Sequence, residues 1–230
     1  MTLARRRVLK FAMASTALAT LSACGAGNMG GMASGMMGGG GGKSWGDIAK
    51  SFKNLMNQAV DGVAETQESL AMLLEALNDK KAAAVLRGKA ESMKNGGTSF
   101  STADLDEQIN ASEDGLGRIR KNMSQAQNLN AEEKKKISEA MANYAPAAIK
   151  VGLAAVDAGL AIADASSAGT PTPADGMEII GLAKDIPSKG PAIIRFAKLS
   201  IQGYKDLKAI AKEANIAVPD DEGMPDLTSS

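Results

Sequence analysis

The chain of 230 residues contains no histidine, a single cysteine, one tryptophan, two tyrosines and four phenylalanines. Without histidine there is neither a Ser-His-Asp or Cys-His catalytic arrangement nor a zinc site of the usual ligand set. One cysteine excludes an intramolecular disulfide. The di-iron helix motif also requires histidine, and no G-x-x-x-x-G-K-[ST], G-x-S-x-G or acidic calcium-loop pattern occurs. The acids are spread along the chain as on a solvated helical surface, so no carboxylate pair for glycoside chemistry stands out. The expectation is a protein that is not an enzyme and uses no cofactor.

Acidic residues are also missing from the N-terminal segment. The 26 basic and 26 acidic residues balance overall, but Arg5, Arg6, Arg7 and Lys10 precede Cys24 while every acid follows it. Cut at Cys24, the chain keeps 22 basic against 26 acidic residues, a net charge of −4. That mild acidity and the scarcity of aromatics argue against a nucleic-acid partner. Lys134-Lys135-Lys136 directly follows Glu132-Glu133 and reads as a partly paired first helical turn.

Residues 1–23 run from a basic cluster through an apolar, small-residue stretch (Phe11 to Ala19) to Leu21-Ser22-Ala23-Cys24, the order of a secretory signal. The apolar part is too short to span a bilayer, which takes about 20 apolar residues. Leu21-Ser22-Ala23-Cys24 resembles the lipobox of bacterial lipoproteins. That resemblance implies cleavage between Ala23 and Cys24 and transfer of a diacylglycerol to the Cys24 sulfur, the cysteine becoming the first residue of a membrane-anchored protein. A solitary buried cysteine in an ordinary first helix would leave the arginines and the following glycine tract unexplained. Ala4-Arg5-Arg6-Arg7-Val8-Leu9-Lys10 is in turn similar to the twin-arginine motif S/T-R-R-x-F-L-K, with Ala4 and Val8 departing from it. Arg5 and Arg6 would then direct export of a folded protein; alternatively they only supply the positive end that any signal needs. Cys24 is followed by Gly25 and Ala26, not by the aspartate that resembles an inner-membrane retention signal. The expected location is therefore the cell envelope, at the outer membrane and facing the periplasm in a cell with two membranes.

From Gly25 to Gly42 there are ten glycines and four methionines. With the cysteine, residues 24–43 are expected to form a disordered linker with a reach on the order of 25 Å. Clustered thioethers are soft ligands, which makes Met29, Met32, Met36 and Met37 weak candidates for Cu(I). With no histidine or thiolate to assist and with irregular spacing, no metal site is assigned.

Residues 44–216 read as an all-α helical bundle of five to six helices. Ser44 caps a first helix in which Ile48, Phe52, Leu55, Ala59, Val63, Leu70, Leu73/Leu74 and Leu77 recur on one face to about Asn78, on the order of 50 Å in all. A second runs from about Lys80 to Lys94 and stops at Asn95-Gly96-Gly97. Ser101 and Asp104 form a capping box for a third, whose stripe is interrupted by Ser112; Asn130 and Glu133 form another for a fourth.

The fourth helix, about Ala131 to Ala165, sets Lys136, Asn143, Lys150, Asp157 and Asp164 seven apart. These predict a solvated stripe, with Ile149, Val151, Leu153, Val156, Leu160 and Ile162 buried on several sides and a kink at Pro146. The run Val151 to Ala163 is too short for a membrane span and contains Asp157. A linker from Ser166 to Pro173 leads to a short helix ending near Lys184. Ile186-Pro187 and Gly190-Pro191 then predict a tight connection to a last helix ending at Asn215. Residues 217–230 are expected to form a disordered acidic tail.

Two functions follow. The first is a lipid-anchored envelope protein whose bundle serves as a structural or interaction module for another envelope protein or for itself. The alternative is a carrier of a lipid or other hydrophobic ligand in a cavity between the fourth and last helices.

Overall fold

A computed structural model describes residues 43–125, 129–220 and 223–227. The expectations for Arg5, Arg6, Ala23, Cys24, Met29, Met32, Met36 and Met37 fall outside the described residues. Among those described there are five α-helices and no strand: α1 (Trp45–Ala76), α2 (Lys80–Gly96), α3 (Thr102–Gln125), α4 (Ala131–Ala168) and α5 (Met177–Glu213). The fold is an all-α bundle.

The helix starts are fixed by the side chains that the sequence singles out. Ser44 Oγ accepts from the Asp47 amide at 3.2 Å. Asp104 accepts from the Ser101 amide at 2.7 Å while the Asp104 amide donates to Ser101 Oγ at 3.2 Å. Asn130 and Glu133 exchange the same two bonds at 2.9 Å each. Each box satisfies amides that the first helical turn leaves without carbonyl partners. Two residues past the end of α1, Asn78 takes φ 63° and lets the Asp79 amide reach back to the Leu74 carbonyl at 2.8 Å.

Side-chain pairs set the helix directions. Lys150–Glu65 and Asn143–Met72 run α4 antiparallel to α1, and Lys94–Glu68 with Arg87–Glu75 does the same for α2. Arg195–Asp106 and Arg120–Asp206 make α3 and α5 parallel. α1 packs against all four other helices, whereas α4 lies on α1 and α5. One part of the core gathers Phe52, Val63, Val151, Ile193 and Phe196. The other gathers Leu70, Leu74, Leu116, Ile119, Tyr144 and Tyr204, the two tyrosine rings meeting edge to face at 5.7 Å. Tyr144 is fully buried and donates to the Ser200 carbonyl at 2.9 Å. Ser112, the polar gap in the α3 stripe, joins Gln67 and Gln108 in a buried group in which Gln67 Nε2 donates to Gln108 Oε1 at 2.8 Å.

Two expectations need correction. The short helix and last helix are one: α5 continues through Pro187 and Pro191. The two prolines stand four apart and both face solvent, so the carbonyls that lose an N–H partner lie toward water. The opposite face buries Ile186, Gly190, Ala192 and Ile193, and that packing holds the helix together where local preference would end it. Pro146 sits on an exposed face inside α4, which continues on both sides of it. Finally, the described part of the C-terminal segment packs on the bundle instead of fraying. Leu227 is buried, Pro225 lies against Gly152, and Tyr204 Oη donates to the Pro219 carbonyl at 2.8 Å.

Close approach of α1 and α4 depends on Gly62. A Cβ there would lie 2.6 Å from Val151 Cγ2 and 3.1 Å from the Val151 backbone nitrogen. Gly62→Ala is therefore expected to destabilise the protein by about 1 to 3 kcal/mol despite alanine's better helix propensity. Gly88, exposed on α2 with open space around it, gives the opposite sign: Gly88→Ala should stabilise by about 0.5 to 1 kcal/mol. Urea unfolding of the two variants beside the parent checks both.

Candidate functional site

α4 departs from the sequence expectation on its apolar side: Leu153, Val156 and Leu160, expected in the core, face solvent, while the polar line stays at least partly solvated. That line runs along the border with α1: Lys150 Nζ lies 2.7 Å from Glu65, Asp164 lies 2.8 Å from Lys43 Nζ, and Asn143 Nδ2 reaches Met72 Sδ at 3.6 Å, while Lys136 pairs with Glu132 of its own helix. The face toward solvent is apolar. Leu153, Val156 and Leu160 are 41%, 42% and 37% exposed. With Ala142, Pro146, Ile149 and Ala163 they recur at alternating steps of four and three, so they form one straight stripe about 30 Å long.

The cause lies in side-chain size. Between the long aliphatic residues, α4 supplies Ala140, Ala147, Ala148, Ala154, Ala155, Ala158 and Ala161, all buried. Alanine and glycine admit a neighbouring backbone where leucine cannot. α1 therefore approaches at Val151 through Gly62, and α5 approaches at Ile162 through Gly190, whose Cβ would lie 2.8 Å from Ile162 Cδ1. The alanine face is drawn inward by closeness of packing and the leucine face is left outside. By length and composition α4 is also long and apolar enough to cross a membrane, yet half of its most apolar stretch is buried in the bundle.

Asp157 sits beside the stripe, half-buried, with no salt bridge in its own chain among the described residues. Burial pushes its carboxyl above the ordinary carboxylate range, and the charge of Lys43 only partly opposes this.

A second feature lies at the end of the bundle where α1 and α5 begin and α4 ends. A cleft of about 360 Å³ opens between Trp45, Ile162, Ala165, Ile180, Ala183 and Ile186, with Ser166, Thr170 and Lys184 as its polar lining. That volume is within the range of about 300 to 1,000 Å³ found for small-molecule pockets. Trp45 Nε1 is buried without an acceptor among the described residues, and Pro187 deprives the Ala183 carbonyl of its helical donor. The sequence expectation set a cavity between the fourth and last helices; this one borders α4 and α5 but lies far from Pro146, at the first turn of α1. Among the described residues no group of three or more His, Cys, Asp or Glu side chains is placed to hold a metal ion.

Sequence periodicity marked the polar line of α4 but took Leu153, Val156 and Leu160 for buried residues along with Val151, and so missed the outward stripe. The signal that does so is the distribution of alanine and glycine around the helix. No family model, curated protein or solved structure matches the chain.

Because the folded state raises the Asp157 pKa, its carboxylate lowers stability as pH rises from the unfolded to the folded value. Asp157→Asn is accordingly expected to melt above the parent at pH 7 in dilute protein. The difference should vanish as pH falls below the ordinary carboxylate range, which a pH series of thermal melts reads directly.

Proposed function

We propose that this chain is a lipid-anchored protein of the cell envelope whose helical bundle works as a protein-interaction module through the outer face of α4. The lipobox-like Leu21-Ser22-Ala23-Cys24 supports the anchor. Acyl chains on Cys24 would contribute about 0.8 kcal/mol for each buried CH₂, and two or more chains hold a protein on a bilayer stably. The observation that carries the interaction role is the exposed Leu153-Val156-Leu160 stripe. An apolar stripe of heptad spacing left in water is what a helical partner covers.

The borders of the stripe favour a protein over a lipid surface. One edge mixes Lys150 with Asp157 and Asp164 and the other has no charged α4 residue, whereas helices that lie on anionic membranes carry a surplus of Lys and Arg along their borders. A photo-crosslinking residue at Leu160 is expected to capture a protein in intact cells, while the same probe at exposed Glu91 of α2 does not. Equal capture at both positions would contradict the assignment. The anchor has its own readout: Cys24→Ser should abolish incorporation of labelled palmitate and shift the protein out of the membrane fraction. Unchanged labelling would remove the lipoprotein reading.

The cleft at Trp45 favours a second reading, a carrier of an apolar ligand. Its apolar walls suit an acyl chain, and Lys184 on its lining suits an anionic head group. Trp45 is the single tryptophan and lines the cleft, so its emission reports occupancy without labels. Titration with oleate should change that emission saturably in the parent, and Ala165→Trp cannot serve as control because it adds a second indole; Ala165→Leu, which narrows the cleft, should weaken the response at least tenfold. A linear, unsaturable response would count against the carrier.

A further inference from the structure

The α4 stripe has charged borders that fit one partner in particular. Take Leu153 and Leu160 as a positions of a heptad and Ile149 and Val156 as d positions. Asn143, Lys150, Asp157 and Asp164 then occupy the e positions along one edge. The opposite edge, the g positions, is Ala145, Gly152, Gly159 and Ser166; it has no charged α4 residue, and Ala145 and Gly152 are buried in the chain itself, Gly152 against Pro225.

From this arrangement we propose that α4 pairs with α4 of a second copy of the chain, antiparallel about a two-fold axis that passes between Leu153 and Val156. The proposal rests on the interaction reading above and names its partner. Two helices related by a two-fold along their length set e against g, which offers those charges no opposite charge from α4. A two-fold across their length sets e against e. With Leu153 packed against Val156 of the second copy, Lys150 comes beside the second copy's Asp157, and Asn143 beside its Asp164. Symmetry makes each pairing occur twice.

The register is discriminated as well. Sliding one helix by a heptad in either direction sets Lys150 against its own counterpart or Asp157 against its own counterpart, both like-charge contacts. Only the unshifted register has none. It also gives a cation to Asp157, which has no salt bridge of its own among the described residues. Lys150 already holds Glu65 at 2.7 Å, but an ammonium has three donors and can serve a second carboxylate.

Charge reversal in the full-length protein tests this. Differently tagged chains are co-expressed, extracted in mild detergent and scored by co-purification, with helical content measured by circular dichroism to show that each variant is folded. Lys150→Asp alone and Asp157→Lys alone should each lose self-association at least tenfold. Co-expressed with one another they should recover it, because each then meets the opposite charge at both contacts. Self-association of the single variants at the parent level, or no recovery in the mixed pair, would overturn the second-copy assignment. A crosslinker at Leu160 separates the two readings: capture only of a different protein overturns self-pairing while leaving α4 an interaction face, and capture of nothing overturns both.

Discussion

Everything unusual about this bundle depends on how closely α1 and α4 approach. Gly62 brings the α1 backbone against Val151, and the alanines of α4 continue that contact along the helix. Dispersion falls off steeply with separation, so a face of small side chains that allows backbone contact can outcompete a face of large ones held farther away. Glu65–Lys150 and Lys43–Asp164 then fix the rotation of α4. Such partly exposed pairs contribute little to stability, about 0 to 1 kcal/mol each. They set orientation, and orientation decides which residues reach solvent.

Two consequences follow from that rotation. Leu153, Val156 and Leu160 are placed outside, as a straight apolar line bordered by charge on one side only. The end of the bundle is left incompletely filled, because past Ile162 α4 carries Ala165 and Ser166, and Gly169 follows it, opposite Trp45 and the first turns of α5. The outward apolar stripe and the cleft are thus both products of small residues on one helix. They remain separate surfaces, with separate chemistry: one suits an amphipathic helix, the other an acyl chain.

Much of the fold was legible in the sequence, since caps and periodicity are local. Ser44, Ser101, Asn130 and Asn215 mark helix ends that the structure shows. Pro187 and Pro191 misled because proline was weighed as a local breaker, whereas the burial of Ile186, Gly190 and Ile193 on the opposite face is a property of the assembled bundle. The outward stripe was hidden for a related reason. Hydrophobicity alone assigns Leu153 and Val156 to the core and Asp157 and Asp164 to water; the competition between an alanine face and a leucine face is settled only by the shapes of α1 and α5. The lipobox-like segment, by contrast, speaks through order and spacing of residues and owes nothing to the bundle.

The outward orientation of the α4 apolar stripe is the claim on which the functional account stands, and a spin-label scan tests it most directly. Labels placed singly at residues 149–164 of dilute full-length protein report oxygen and solvent accessibility position by position. The account predicts accessibility maxima at 153, 156 and 160 and minima at 151, 154 and 158. Maxima at 150, 157 and 164, with 153, 156 and 160 protected, would show an ordinary amphipathic helix and contradict it.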